Sequence, residues 1–368
     1  MIGDQTARTR GLDAVPEQAR AAGASAPFTR LRKHGVEIFS TCPQSREADP
    51  ETYLEDVLRV ARWSDAVGCH GMLIYTDNAL VDPWLLAQLV LENTEQLRPL
   101  VAIQPAYMHP YAAAKMVATL AYLHKRQIYL NMVAGGFRND LVALDDHTEH
   151  DDRYDRLVEY TKIIVELLSS PEAVTFTGDY YQVKNLKMKP SLPPALMPGV
   201  FVSGSSDAGL GAARALGATA VRYPQPPAEE SGRLPEDIIH FGMRAGVVAR
   251  ETEEEAWGRA YELFPPSRKG QMTHKLAMKV SDSQWHKQLS HLGEVSEVTP
   301  DSPYWLGPFE NYKTFCPYLV GTYDRVAGEI GNYLELGFRA FILDIPPSLD
   351  ELEHTGVAFG KAVDAVLA

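Results

Sequence analysis

Cysteine is scarce in this chain: three residues in 368, at Cys42, Cys69 and Cys316. An odd, widely spaced set offers neither a disulfide framework nor zinc-ligand spacing, and it fits a reducing, cytoplasmic setting. Long apolar runs are missing too. No stretch approaches the roughly 18 apolar residues of a membrane-spanning helix. Positive charge is short: 35 Lys and Arg stand against 48 Asp and Glu, a net charge of −13. That balance argues against general binding of nucleic acid or anionic membranes. The leader from Met1 to Lys33 has no apolar h-region. It therefore reads as a flexible arm over 1–34 rather than a secretory signal. There is no G-x-S-x-G elbow and no H-x-x-x-H or carboxylate–histidine cluster, so neither a hydrolase triad nor a metal site is expected. A chain without a chemical engine of its own points to a bound cofactor.

What is present is a 45% hydrophobic composition and a length ordinary for one α/β barrel with insertions. Short apolar strands are predicted near 35–40, 71–75, 99–103, 127–132, 199–202, 218–222, 241–248 and 338–343. Helix-length periodic segments alternate with them near 51–67, 82–94, 110–124, 152–168, 206–216, 253–263, 323–336 and 349–366. Eight such pairs predict a (β/α)8 TIM barrel as a single domain over 35–368, with a doubly wound open sheet as the competitor. Two insertions interrupt the alternation. Residues 170–198 read as a small hairpin and a Pro-rich tether. Residues 265–320 begin polar and end aromatic. A loop that long near the C-terminal face of a barrel reads as a lid, or as a subunit contact.

Three segments carry chemistry. Phe201-Val202-Ser203-Gly204-Ser205-Ser206-Asp207 is a strand running through small residues into a helix. Gly204 permits close backbone approach, while Ser205, Ser206 and the helix start offer donors suited to a phosphate. The same cluster also reads as a plain helix cap, with Asp207 as the capping residue. Ile128 to Gly136 is a strand containing Asn131 and ending in Ala134 and a glycine pair. Glu149-His150-Asp151-Asp152-Arg153-Tyr154 opens a helix with His150 and Tyr154 on one face; they serve a ligand or form a surface pair.

This ordered trio resembles the bacterial-luciferase-like flavin monooxygenases, nearest the alkanesulfonate and long-chain-alkane subgroup. The resemblance spans roughly 35–368 and is densest around 145–210, including Phe176 to Tyr181 and Met188-Lys189-Pro190. It implies FMN at the C-terminal mouth of the barrel, supplied reduced by a separate flavin reductase. Carried over by position, Asn131 and Ala134 line the ring and ribityl region. His150 and Tyr154 reach the ribityl and phosphate, and Gly204, Ser205 and Ser206 hold the phosphate. Thr76 and Gln104, at the ends of strands 2 and 3, are further ring-facing candidates. One oxygen atom from O2 would enter an organic substrate, either a small molecule or an acyl group on a carrier protein, as in natural-product pathways. A deazaflavin-dependent oxidoreductase and a non-catalytic flavin-binding protein are the alternatives, and a homodimer or homotetramer is expected.

The chain departs from the alkanesulfonate subgroup at the substrate side. The subgroup's strand-2 cysteine is Leu80 here, its R-x-H is Arg244-Ala245-Gly246, its tyrosine after the eighth strand is Pro346, and its lid arginine is Tyr312. Arg244 is the residue retained. It is the catalytic candidate, as a cation for a substrate carboxylate or an anionic oxygen species, with a structural ion pair as the other reading. Tyr312 is the candidate lid donor, with Asn311 and Lys313 beside it. Cys42 could approach the flavin or be an inert buried thiol. A simple alkanesulfonate is not the expected substrate.

Overall fold

The computed structural model describes residues 26–46, 48–135, 138–230, 234–235, 237–238, 240–280, 289–290 and 302–368, with backbone alone for 277–280. Eight parallel strands form the ring: β1 (Glu37–Thr41), β2 (Gly71–Ile74), β3 (Arg98–Ile103), β4 (Tyr129–Val133), β7 (Gly199–Ser203), β8 (Thr219–Arg222), β9 (Phe241–Arg250) and β12 (Phe338–Leu343). Pairing of β8 with β9 and of β12 with β1 closes it, so the barrel prevails over the open sheet. These strands are near-continuous apolar runs because each is covered inside and outside. All eight lie where the alternation placed them.

The helices follow from local signals. Helices α1 (Tyr53–Ala66), α2 (Pro83–Asn93) and α3 (Pro110–His124) cover β1 to β3. Asp82 caps α2 by accepting from Trp84 N at 2.9 Å, with Pro83 in the first turn. His109 Nδ1 accepts from Tyr111 N at 3.1 Å at the start of α3, so this histidine is a cap. After β4 come α4 (Arg138–Ala143) and the long α5 (His150–Ser169). The expected hairpin forms from β5 (Val174–Thr177) and β6 (Gln182–Leu186). Its turn is pinned to α5 by the Glu159 carboxylate, which accepts from Asp179 N, Tyr180 N and Tyr181 N at 2.8, 2.9 and 3.2 Å. Helix α6 (Asp207–Leu216) follows β7, and short α7 (Pro227–Glu230) follows β8.

The segment expected as a lid over 265–320 is in its described parts mostly packed structure. After α8 (Glu253–Leu263) come α9 (Arg268–Val280), β10 (Tyr304–Trp305), α10 (Gly307–Glu310) and β11 (Tyr318–Thr322). Strand β9 is ten residues long. Its first half lies in the ring; its second half leaves the ring and pairs in parallel with β11, Gly246 against Tyr318 through Arg250 against Thr322. Trp305 sits edge-on to Trp257 and Tyr261, with ring centroids 5.6 Å apart in both pairs, and Phe264 meets Tyr318 at 4.7 Å. Tyr304, Trp305, Phe309 and Tyr318 are buried in the main core, while Tyr312 and Phe315 of the expected cover are half-buried. Residues 281–288 and 291–301 of the expected lid lie outside the described residues. Helices α11 (Tyr323–Glu335) and α12 (Leu349–Val366) complete the shell.

Residues 26–34, expected within the arm over 1–34, pack against the barrel. Thr29–His34 is a 3-10 turn, Phe28 and Leu31 are buried, and Phe28 meets Phe359 of α12 at 6.2 Å. The rest of that arm lies outside the described residues.

Inside the ring, Phe39, Leu100, Tyr129, Phe201 and Ala340 fill the N-terminal half, with Leu73, Ala102, Val221 and Ile342 above them. The Phe39 ring meets His70, Tyr129 and Phe201 edge-on at 5.3–5.4 Å. Beside it His70 Nε2 lies 2.8 Å from Tyr129 Oη and 3.3 Å from Glu37 Oε1. Although that geometry suits an ion pair, burial first, and the charges of Arg98 and Arg32 second, bring the His70 imidazole down to about 3. Burial likewise raises the Glu37 carboxyl. His70 therefore folds neutral. An unfolded imidazole binds a proton below about 6.5, so the stability His70 confers is complete above that pH and is lost as pH falls toward 3, by at most about 1.4 kcal/mol per unit. The expected outcome is that the unfolding free-energy difference between wild type and His70→Gln, from urea titrations, shrinks as pH falls below 6.5. A difference independent of pH would show that His70 titrates normally.

Candidate active site

Where the inner packing ends, the C-terminal mouth of the barrel holds a cavity of about 170 Å³. Strand alternation decides its lining. Positions two beyond the packed interior residues point into it: Ala102 leads to Gln104, Leu73 to Tyr75, Val221 to Tyr223, and Tyr129 through Asn131 to Val133. Thr76, Leu80, Ser203, Arg244, Phe315 and Ile342 add to the wall. Of the expected residues, Thr76, Gln104, Asn131 and Arg244 thus meet around one cavity. Gln104 and Asn131 are 7% and 6% exposed, so their amides need partners. Gln104 Nε2 donates to Tyr107 Oη at 3.3 Å, and Asn131 Oδ1 accepts from Ser203 Oγ at 2.7 Å.

The second expected group lies just beyond this wall. Ser203 lines the cavity, and the next residue, Gly204, opens the turn into α6. Tyr154, one helical turn after His150 on α5, reaches that turn and bonds the Ser206 side chain; burial raises its phenol, and the Ser206 bond offsets this in part. A methyl group at Gly204 would overlap the Tyr154 hydroxyl, so any side chain there must displace the tyrosine. The His150 and Tyr154 rings meet at 5.3 Å, and His150 Nδ1 lies 2.6 Å from Asp151 Oδ1. Ser206, not Asp207, is the helix cap: its Oγ accepts from Gly209 N at 3.1 Å, while Asp207 is the first helical residue. Ala134 is buried at the end of β4 and does not reach the cavity wall.

Arg244 lines the cavity and is also ion-paired, 6% exposed, with Nη2 3.2 Å from Asp344 Oδ1. Its Nη1 donates to Tyr223 Oη at 3.4 Å, and its Cζ lies 4.8 Å from the centre of the Tyr75 ring. Tyr318 Oη donates to the other Asp344 oxygen at 2.9 Å. At the rim Arg46 pairs with Asp77 at 2.8 Å, near Asp140, whose carboxyl is raised by burial and by Asp77.

Other expectations fall elsewhere. Tyr312 is not on the cavity wall; it has φ 55° and packs edge-on against Phe315, which is on the wall, at 5.8 Å. Asn311 Oδ1 accepts from Ser267 N at 3.0 Å, and Lys313 is exposed, so neither lines the cavity. Cys42 is buried off this wall, with its thiol raised to about 12 by burial. Tyr75, Tyr223 and Asp344 were missed. Strand parity could have found them: each lies two residues beyond an interior residue. Among the described residues no acidic, His and Cys group could hold a metal ion, and no helix is long and apolar enough to cross a membrane.

The residues suit a flavin nucleotide. The glycine turn, which a side chain would fill, sits beside a phenol, an imidazole and hydroxyls, and the Ser203–Asn131 bond joins that turn to a largely apolar cavity. Comparison with known proteins agrees. A family model described as luciferase-like monooxygenase matches residues 36–340. The 4-(gamma-L-glutamylamino)butanoyl-[BtrI acyl-carrier protein] monooxygenase BtrO of Niallia circulans is 35% identical over 308 residues, 82% of this chain and 89% of BtrO. EDTA monooxygenase EmoA from Chelativorans sp. BNC1 superposes with a TM-score of 0.65 at 16% identity, covering 90% of this chain and 95% of that one. The oxygenating constituent of 3,6-diketocamphane monooxygenase from Pseudomonas putida, solved with FMN, gives 0.62 at 14% identity over 90% and 98%. At these identities the two structures show the shared fold.

A double-mutant cycle tests the contact between the turn and α5. Gly204→Ala is expected to lower unfolding free energy by about 1–3 kcal/mol through overpacking. Adding Tyr154→Phe, which removes the nearest atom, recovers part of that loss. Strictly additive losses in denaturant titrations would show that the two elements do not touch there.

Proposed function

The chain belongs to the luciferase-like monooxygenase family, flavin-dependent enzymes, and we propose that it is the oxygenase of a two-component system that takes reduced FMN from a separate reductase. The observation that carries the reading is the continuity of the Gly204–Ser206 turn with the cavity through Ser203 and Asn131. Ser205, Ser206, His150 and Tyr154 would hold the FMN phosphate and ribityl chain, with Asn131, Gln104 and Thr76 beside the ring. When bound, the reduced flavin supplies two electrons to O2, so that one oxygen atom enters the substrate and the other leaves as water. The chain's own residues bind, orient and exclude water. Leu73, Ala102, Val133, Val221, Ile342 and Phe315 keep the reacting region dry, and Arg244 presents hydrogen-bond donors between two tyrosine rings.

The substrate we propose is an acyl chain on an acyl-carrier protein, as named for BtrO, here held as a thioester within a cytoplasmic natural-product pathway. A homo-oligomer is proposed alongside. The test is reconstitution with a flavin reductase, FMN and O2, comparing an acyl-carrier-protein thioester, its N-acetylcysteamine thioester and linear alkanesulfonates. Gain of one oxygen atom by the acyl group, without sulfite release, is expected. Efficient sulfite release would overturn the substrate class.

Cofactor choice is read separately. Anaerobic titration is expected to show tighter binding of reduced FMN than of the reduced deazaflavin. Ser205→Ala with Ser206→Ala is expected to weaken FMN about a hundredfold, on the order of 3 kcal/mol for two charge-assisted bonds, with the fold retained. Unchanged affinity would reduce the serines to a cap. Tight deazaflavin binding without FMN binding would replace the cofactor.

At the substrate side, Arg244→Lys keeps the charge but loses the planar fork. A fall in turnover of tenfold or more with unchanged FMN affinity is the expected result. Full activity of Arg244→Ala would leave Arg244 a structural residue alone.

A further inference from the structure

We propose that Asp344 and Tyr318 set what Arg244 binds, so that the cavity selects an uncharged carbonyl acceptor, an amide or thioester group, over an anionic group. The inference rests on the reading of Arg244 as a substrate-contacting residue.

The Arg244 and Asp344 side chains are 8% and 11% exposed and lie 3.2 Å apart, so the guanidinium enters the cavity already neutralised. Tyr318 donates to the second oxygen of Asp344 at 2.9 Å, which fixes that carboxylate against the guanidinium. The cavity's other arginine, Arg46, is paired with Asp77, and Asp140 adds a further carboxylate to the wall. Two arginines therefore face three aspartates among the described residues of this region. An incoming carboxylate or sulfonate would lose its hydration and meet no uncompensated cation.

Donors are nevertheless left over. A guanidinium carries five N–H groups. The structure assigns one to Asp344 and one to Tyr223, and Nε is buried without a partner. A carbonyl oxygen accepts such bonds and brings no charge to be desolvated.

Sterics tie the device together. A side-chain carbon at Gly246 would fall inside the ring of Tyr318, its register partner on β11. Gly246 stands where the alkanesulfonate subgroup carries the histidine of its R-x-H pattern. Here the glycine admits the Tyr318 ring, whose hydroxyl holds Asp344. Asp344 and Tyr318 are accordingly positioning residues, acting through Arg244.

The experiment uses the full chain without flavin or turnover, so its outcome is separate from that of the oxygenation assay. Hexanamide and hexanoate, equal in chain length and different in charge, are titrated by calorimetry. Wild type is expected to favour hexanamide at least tenfold. Asp344→Asn keeps the shape and frees the Arg244 charge; it is expected to shift the preference at least tenfold toward hexanoate. Tyr318→Phe leaves the carboxylate in place and shifts it less. Circular dichroism and melting temperature check that each variant is folded. A wild-type preference for hexanoate, or binding of neither ligand at millimolar concentration, would overturn the proposal without recourse to any variant. So would a folded Asp344→Asn protein with unchanged selectivity.

Discussion

A closed ring of eight parallel strands sends every second side chain into its own interior, and the site depends on how that interior is filled. The Phe39, Tyr129 and Phe201 rings occupy the N-terminal half and meet within 6 Å of one another. Smaller inward residues, Ala102, Ser203 and Val221 among them, follow these rings toward the C-terminal ends. The cavity opens over that smaller layer, with Tyr75 and Tyr223 on its wall. The same alternation then aims Gln104, Asn131, Arg244 and Tyr223 at it.

This is also why the architecture could be read from the chain. Short apolar runs alternating with helix-length periodic segments are local signals, and each ring strand was placed from them. The glycine–serine turn before α6 was legible for the same reason: Gly204, Ser205 and Ser206 are contiguous, and His150 and Tyr154 are one turn apart on α5. Their mutual contact was not local, since fifty residues separate Tyr154 from Gly204; only the resemblance to known flavin monooxygenases joined them.

Where pairing is long-range, the sequence was mute. Asp344 lies one hundred residues from Arg244, and its strand-end position, with Pro346 and Pro347 shortly after it, resembles an ordinary loop start. The packing of Trp305 and Tyr318 was not legible, because aromatic content alone does not separate a lid from a core. What decides is β9. Its second half continues past the ring and offers an edge, which β11 takes, and the aromatic rings follow that pairing inward. Arg244 and Gly246 sit on either side of the point where the strand leaves the ring.

That position has a mechanical consequence. Just beyond it, Arg250 at the end of β9 and Arg259 of α8 both hold the carboxylate of Glu351 on α12. Burial alone would raise that carboxyl, but the two guanidiniums hold it below the ordinary range. Ser348 caps the same helix by accepting from Glu351 N at 3.2 Å. The strand carrying Arg244 is thus fixed on both sides of the cavity region, by the ring below and by an arginine–glutamate clamp above. Pre-set donors cost little reorganisation when a ligand arrives, which is the condition under which a neutralised arginine can still discriminate between ligands.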